Sequence, residues 1–282
     1  MLVCFAHPDD EAFPVGGTLA SYTARGVDVR LICATLGEEG EIRQPGSATR
    51  ETLPQVRWKE LKASCRALGV QEPLILEHRD SGMQGDEANH HPRALIKAPS
   101  EQVIEPLVAE MRRFRPQVVL TFGPDGLYGH PDHIAMSEHT TSAFHLAGDP
   151  LAFPHQLAGG LEPHSPLRLF YSARPRGFRM TMATRFRGAG VDVPLPSAER
   201  RDDGVPVEEL HLHMDVSAYL EQKKASIRSH FTQMQVDSPY FKVSHEVLAE
   251  TLGREHFIRG YPRVEPGAVV PPDFFEGIEP TR

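Results

Sequence analysis

The sequence predicts an α/β fold: a mainly parallel sheet with helices on both faces, completed by a C-terminal substrate-shaping region. Three observations predict it. Strand-like apolar runs alternate with amphipathic helical patterns through the first half. The runs "LVCFA" and "QVVLTF" are nearly continuous in apolar residues, as strands covered on both faces are. A chain of 282 residues, 40% hydrophobic and 24% charged, can bury a sizeable core, which excludes wholesale disorder.

Residues 2–6 read as the first strand, "GGTLASYTARG" (16–26) as a helix ended by a glycine, and "VDVRLICAT" (27–35) as the second strand. Over 49–69, Leu53, Val56, Leu61 and Leu68 fall near helical spacing, and Gly69 stands just past the end. "PLILE" (73–77) is the third strand. In "EQVIEPLVAEMRRFRP", Val103, Ile104, Leu107 and Met111 form one stripe that ends at Pro116; residues 117–122 are then the fourth strand. A helix is expected over about 132–147.

After Gly148 the pattern loosens, with strands expected at 167–173 and 209–216 and a helix around 217–231. The Arg-, Pro- and Gly-rich stretch 174–206 reads as long loops or a lid. The proline-rich tail from 262 reads as extended and docked by Phe274 and Phe275. The expected organisation is a metal-site half over 1–150, with 151–282 supplying the strands, lid loops and tail that complete the same domain.

A formal charge of -8 and a pI near 6.0 give no basic footprint for nucleic acid. No stretch approaches the ~20 apolar residues of a membrane span, and no basic lead-in precedes an apolar core at the N-terminus. A cytoplasmic protein acting on a small molecule is the expectation, and oligomeric state leaves no mark in the sequence. Cys4, Cys33 and Cys65 lie in apolar or helical patterns and read as buried thiols, neither a disulfide framework nor a cysteine zinc site.

In open parallel sheets, ligands sit beyond the carboxyl ends of strands where the strand order reverses. An order 3-2-1-4 makes strands one and four neighbours at that point, and the polar clusters follow these two strands. After strand one comes His7-Pro8-Asp9-Asp10-Glu11; after strand four comes "GPDGLYGHPDH". His7, Asp10 and His133 supply a three-ligand set for a catalytic zinc that keeps one position open. Such an ion lowers the pKa of a water toward ~7 and polarises a carbonyl. Asp9 is placed to act as general base, Tyr128 and His130 to stabilise an oxyanion or protonate a leaving amine, and Asp132 to orient His130.

Either cluster alone has a plainer explanation: HPDD as a helix start, HPDH as a surface loop. Their pairing after two apolar strands favours a metal site. The charge run Glu38, Glu39 and Glu41 reads as a solvated loop, His90 and His91 as exposed loop residues, and His211 and His213 as one exposed strand face. The Arg-rich segment 174–187 is balanced between an anion site and a solvated lid, with Met180 and Met182 as packing residues.

"AHPDDE" (6–11) and "HPDH" (130–133) resemble the two defining motifs of the PIG-L/LmbE-like zinc-dependent N-deacetylases. Within that family "TLGEEGEIR" (35–43), "RDSGM" (79–83) and "YGHPDH" (128–133) are most similar to the mycothiol-type branch, which comprises N-acetylglucosaminyl-inositol deacetylase and mycothiol-conjugate amidase. The resemblance implies a Rossmann-like fold, zinc on His7, Asp10 and His133, and Asp9 as base. It also implies Tyr128 as mobile general acid or oxyanion partner, His130 as stabiliser of the intermediate, Arg57 and Asp80 as holders of sugar hydroxyls, and Glu41 and Met83 as further substrate contacts.

Lys223, Ala225 and "HFTQ" (230–233) resemble a degenerate C-terminal family motif, which leaves the roles of His230 and Gln233 open. The expected function is metal-assisted removal of acetyl from an N-acetylglucosamine-containing small conjugate, such as a low-molecular-weight-thiol precursor. Zinc is the expected cofactor, although a His/Asp/His site also accepts another divalent ion such as Fe2+. The alternatives are an amidase acting on a thiol conjugate and a non-catalytic sugar-binding α/β module; the absence of GxGxxG after strand one disfavours a dinucleotide version of the latter.

Overall fold

The computed structural model describes residues 1–201, 203–265, 270 and 273–279. Its centre is a seven-stranded sheet in the order β3-β2-β1-β4-β5-β7-β6. The strands are Leu2–Phe5 (β1), Arg30–Thr35 (β2), Leu74–His78 (β3), Val118–Phe122 (β4), Arg168–Ala173 (β5), Leu212–Asp215 (β6) and Arg254–Tyr261 (β7). β1 to β5 pair in parallel, with Val3 opposite both Leu31 and Leu120, whereas β7 runs antiparallel to β5 and β6. The expected order 3-2-1-4 is present, and the chain reverses its direction of travel across the sheet between β1 and β4.

The continuous runs behave as two-sided burial requires: every residue of β1 and β4 is buried. Helices Gly16–Ala24 (α1), Leu53–Leu68 (α2), Ser100–Phe114 (α3) and Pro131–Leu146 (α4) connect the first strands. α2 ends at Gly69, which caps it in the left-handed conformation at φ 73°.

Two departures from the sequence expectation lie in the second half. The stretch expected to be loops or a lid contains the helix Phe178–Gly188 (α5), whose Ala183 and Phe186 pack into a small apolar cluster with Val193. Five arginines over 174–187 hid its short apolar stripe. β7, which sequence reading did not identify, carries charged residues at Arg254, Glu255 and Arg259, so its apolar content is too low to stand out. Helices Leu220–Ser229 (α6) and His245–Leu252 (α7) complete this half.

The tail docks where expected. Phe274 is buried and stacks on Phe170 with ring centroids 4.1 Å apart, and Phe275 meets Tyr22 edge-on at 5.3 Å. Residues 266–269, 271–272 and 280–282 of that tail lie outside the described residues. All three cysteines are free and buried. His213 faces His256 from the neighbouring strand with Nδ1 atoms 2.7 Å apart, and His211 Nδ1 accepts the Arg259 N–H. Among the described residues no helix is long and apolar enough to cross a membrane.

Candidate metal centre and active site

The site lies beyond the carboxyl ends of β1 and β4, where the sheet topology opens a crevice. After β1 the chain turns sharply: Asp10 N–H donates to the His7 carbonyl at 3.3 Å, and the Asp10 carboxylate folds back to accept the His7 N–H at 2.7 Å. Asp9 sits between them at φ 108°, a conformation that costs an L-residue roughly 1–3 kcal/mol and persists where surrounding contacts hold it. After β4, Gly126 and Leu127 take positive φ, then His130 caps α4 by accepting the Asp132 N–H on Nδ1 at 3.2 Å. The HPDH motif is therefore a helix start, with Pro131 in the first turn; HPDD is not, since α1 begins only at Gly16.

Three candidate ligand atoms converge. His7 Nδ1 lies 3.2 Å from His133 Nε2, which lies 3.2 Å from Asp10 Oδ1; His7 Nδ1 and Asp10 Oδ2 are 3.5 Å apart. The outer nitrogens of both imidazoles are engaged: His133 Nδ1 with the Gly126 carbonyl at 3.1 Å, His7 Nε2 with Asp132 Oδ2 at 3.1 Å. When the rings are neutral, as cation binding requires, hydrogens on those outer nitrogens leave a lone pair on His133 Nε2 and another on His7 Nδ1, both turned toward Asp10, which is the donor set a divalent cation takes. Phe122 stacks flat on His133 at 3.9 Å and fixes its ring plane. His7, His130 and His133 form a further three-residue group able to hold an ion, as do His7, Asp80 and Asp132.

Asp132 differs from its expected task. Its carboxylate meets His7 and the Ser81 N–H, while His130 is held through the Asp132 backbone N–H. The same bond means that Nδ1 of neutral His130 accepts, so Nε2 carries the hydrogen and is a donor. Burial, and after it the neighbouring His7 and His133, lower the His130 pKa to about 4, which keeps the ring neutral near pH 7. Burial opposes charge on His7, yet the Asp80, Asp10 and Asp132 carboxylates outweigh it and raise its pKa well above the usual value. Asp10 is likewise opposed by burial and held well below the usual carboxylate range by His133 and His7.

Asp9 sits beside the cluster, with its carboxylate accepting from Arg57 Nη2 at 3.0 Å. Burial raises its pKa, and the Arg57 charge offsets part of that rise. Arg57 is only 3% exposed and also donates to the carbonyls of Pro8 and Gly37, so its guanidinium is committed to the protein. Gly37 takes φ 66°, and a Cβ there would run into the Arg57 guanidinium, so another residue would both strain this turn and displace Arg57.

Asp80 is buried and 3.4 Å from His7 Nε2, and it accepts from the N–H groups of Glu39 and Gly82. Tyr128 is 40% exposed and lies edge-on to His133, with ring centroids 4.9 Å apart. Burial and then Asp10 raise its phenol pKa, so it remains a proton donor. Glu41 and Met83 are not brought to the cluster: Glu41 is exposed and paired with Arg43 at 3.0 Å, and Met83 is 38% exposed.

Sequence reasoning left the role of His230 open and did not connect it with Glu11, which it read as a helix start or as support for its neighbours in the motif. Glu11 is 1% exposed, with Oε1 2.6 Å from His230 Nε2 and in contact with the Ser64 hydroxyl, and its Oε2 accepts the Asp9 N–H at 3.1 Å. The only signal was the presence of both residues in family-like motifs. A cleft of about 330 Å³ opens from the site, lined by Asp9, Asp10 and Tyr128 and by the C-terminal Arg174, Phe178 and Tyr240, among others.

The chain has known relatives. The family described as PIG-L: GlcNAc-PI de-N-acetylase matches residues 2–144. Proteins named 1D-myo-inositol 2-acetamido-2-deoxy-alpha-D-glucopyranoside deacetylase are similar along nearly the whole chain. That of Thermobispora bispora is 38% identical over 91% of this chain and 86% of its own. That of Streptomyces avermitilis is 37% identical over 99% of this chain and 97% of its own. Among solved structures, N,N'-diacetylchitobiose deacetylase from Pyrococcus horikoshii has a TM-score of 0.64 at 20% identity, covering 92% of this chain and 82% of that one. The 4-carboxy-2-hydroxymuconate hydratase from Pseudomonas putida KT2440 has a TM-score of 0.61 at 16% identity, over 95% and 98%. Likeness at those identities concerns the fold alone, and a fold hosts more than one chemistry. The match across half of the chain and the relatives above 35% identity carry further: this chain belongs to the PIG-L family of GlcNAc-PI de-N-acetylases.

Proposed function

We propose that the protein is a metal-dependent hydrolase that removes the N-acetyl group from an N-acetylglucosamine unit of a small conjugate, such as a low-molecular-weight-thiol precursor. The observation that carries this reading is the convergence of His7 Nδ1, His133 Nε2 and Asp10 within 3.5 Å, with Asp9 beside them. Those three residues would hold the ion. Zinc suits two imidazoles and a carboxylate, and Fe2+ suits them as well. Once bound, the ion supplies Lewis acidity and lowers the pKa of a water.

The remaining work falls to the chain. Asp9, steered by Arg57, accepts the proton of the attacking water. His130 Nε2–H and the Tyr128 phenol are donors for the developing oxyanion, and Tyr128 can protonate the departing amine. Asp132 and the Gly126 carbonyl hold the two imidazoles in the ligand tautomer. Asp80 offers acceptor oxygens for sugar hydroxyls beside His7. Arg57, whose donors are taken up by Asp9, Pro8 and Gly37, contributes by positioning Asp9. Glu41 and Met83, at the surface, contact substrate only if it extends beyond the cluster.

The cleft also leaves room for a larger acyl group, the case of an amidase cleaving a thiol conjugate. Metal-quantified protein is offered a panel of N-acetylglucosamine conjugates and N-acyl thiol conjugates, and amine and acetate are both measured. Equal amounts of the two products from the acetylated sugars are expected. Amine release confined to the non-acetyl conjugates would assign the amidase activity, and full sugar binding by metal-free protein without turnover would assign a binding module.

A further inference from the structure

The last two strands bring together a pair of imidazoles that the chemistry above does not use. β6 and β7 pair antiparallel with His213 directly opposite His256. Their Nδ1 atoms lie 2.7 Å apart, and the two rings stand at 80° to each other with centroids separated by 5.0 Å. The sequence shows only His211 and His213 on alternate positions of one strand; His256 stands 43 residues after His213. His211 is not part of the pair, because its Nδ1 accepts the Arg259 N–H at 3.1 Å.

Two nitrogens this close have room for one hydrogen between them, so at least one presents a lone pair. Each neutral ring can instead carry its hydrogen on Nε2, which turns two lone pairs toward one point. Bonds of about 2.0–2.1 Å from imidazole to a divalent ion set two ligands roughly 2.9 Å apart at right angles and roughly 3.3 Å apart in a tetrahedron. The observed 2.7 Å is nearer the right-angled arrangement, which Cu2+ and Ni2+ favour.

The pair is open to a cation from outside. β6 is the edge strand of the sheet, His213 is exposed and His256 is half-buried. Asp215 follows on the same face of β6, opposite Arg254, so these two offset each other's charge. His256, Asp215 and Arg254 help to line a cavity of about 580 Å³, which has room for the waters that complete a coordination shell and places the Asp215 carboxylate among their acceptors. β5 and β7 stand between β4 and β6, so about 10–14 Å of sheet separates the pair from the strand that leads to His133. The two imidazoles are therefore a separate centre from the cluster of His7, Asp10 and His133.

We propose that His213 and His256 form a second metal site, which takes a divalent d-block cation of tetragonal preference, Cu2+ before Ni2+, with water in the remaining positions. The cation replaces the hydrogen between the two Nδ1 atoms, and solvent returns that hydrogen at Nε2 of the same ring, so binding to the neutral pair changes no net protonation. Copper outranks the other divalent first-row ions on nitrogen ligands, and the open sheet edge lets it keep its own geometry. The site stands whether or not the cleft is that of a deacetylase.

In the test, protein whose resident metal has been quantified is titrated with Cu2+ and followed by electron paramagnetic resonance. About one further ion per chain is expected, with hyperfine splitting from two imidazole nitrogens. His213→Gln keeps a hydrogen-bond donor for His256 Nδ1 but lacks the second imidazole. The fold should hold in that variant while copper affinity falls by about tenfold or more, the scale on which metal sites respond to a lost partner. His256→Gln should weaken binding likewise, and His90→Ala, at an exposed position on another loop, should leave affinity unchanged. Absence of further copper at millimolar Cu2+, or wild-type affinity in a folded His213→Gln protein, would overturn the site. Copper that merely replaces the resident ion survives His213→Gln and releases that ion in equal amount, which would also refute it.

Discussion

His230 Nε2 lies 2.6 Å from Glu11 Oε1, with the two side chains 1% exposed. The pair joins the end of α6 to the turn after β1, and the other Glu11 oxygen accepts the Asp9 N–H. Burial opposes charge on both, yet each partner outweighs it: the His230 pKa is raised and that of Glu11 is lowered. The C-terminal half therefore holds the backbone of the proposed base in place.

Removing one member of such a pair leaves the other charged and buried. Glu11→Gln or His230→Ala should each cost about 3–5 kcal/mol of stability in urea unfolding, as broken buried ion pairs do. The double variant should cost clearly less than the two single losses added together, because the residues touch. Additive losses would show that the pair is not coupled.

A second buried pair ties β7 to the first helix. Lys223 Nζ lies 2.6 Å from Glu255 Oε1, and the Glu255 oxygens accept the N–H groups of Gly17 and Thr18, the start of a helix with no side-chain cap of its own. Glu255→Ala should lower stability by about 3–5 kcal/mol through loss of cap and partner together. Gly17→Ala should cost roughly 1–3 kcal/mol, since its Cβ would come within 2.5 Å of Val216. A Tm unchanged in either variant would contradict this packing.

Docking of the tail should be lost in acid. Asp273 pairs with Arg25 at 2.7 Å and accepts from the Tyr22 hydroxyl and the Phe275 N–H. Burial opposes its ionisation, and the Phe275 N–H, Arg25 and Tyr22 together lower its pKa below 3.8. A carboxylate depressed in this way contributes stability above its unfolded pKa and loses it as pH falls through the folded one. Amide exchange at 273–279 should therefore accelerate relative to the core below about pH 4. Asp273→Asn should show the fast exchange already at pH 7; protection in that variant equal to wild type would refute the docking role.

Arg57 should be more sensitive than a surface contact. Arg57→Lys keeps one charge but cannot serve Asp9, Pro8 and Gly37 together, so Asp9 loses its fixed position. A fall in kcat of about a hundredfold with little change in KM is expected. A change confined to KM would instead make Arg57 a direct substrate contact.

Legibility from the sequence followed the range of the interactions. β1 and β4 announce themselves because two-sided burial demands apolar residues in succession, and the loops after them hold the metal-ligating types, Asp10 five positions past β1 and His133 eleven past β4. β7 does not, because Glu255 and Arg259 serve partners rather than the core, and α5 hides behind its arginines. The cap that Glu255 places on α1 spans 238 residues, and the Glu11–His230 pair spans 219, so no local pattern encodes either. Asp132 shows the same limit at short range: its motif spacing suggested service to His130, whereas the turn aims its carboxylate at His7.

The most direct test of the account is acetate release from an N-acetylglucosaminyl conjugate by metal-quantified wild-type and Asp9→Ala protein. The account predicts about one metal ion per chain in both, with the rate in the variant lower by roughly 10²–10⁴-fold, the contribution of a positioned general base. Near-wild-type acetate release from an Asp9→Ala protein that retains its metal would contradict it.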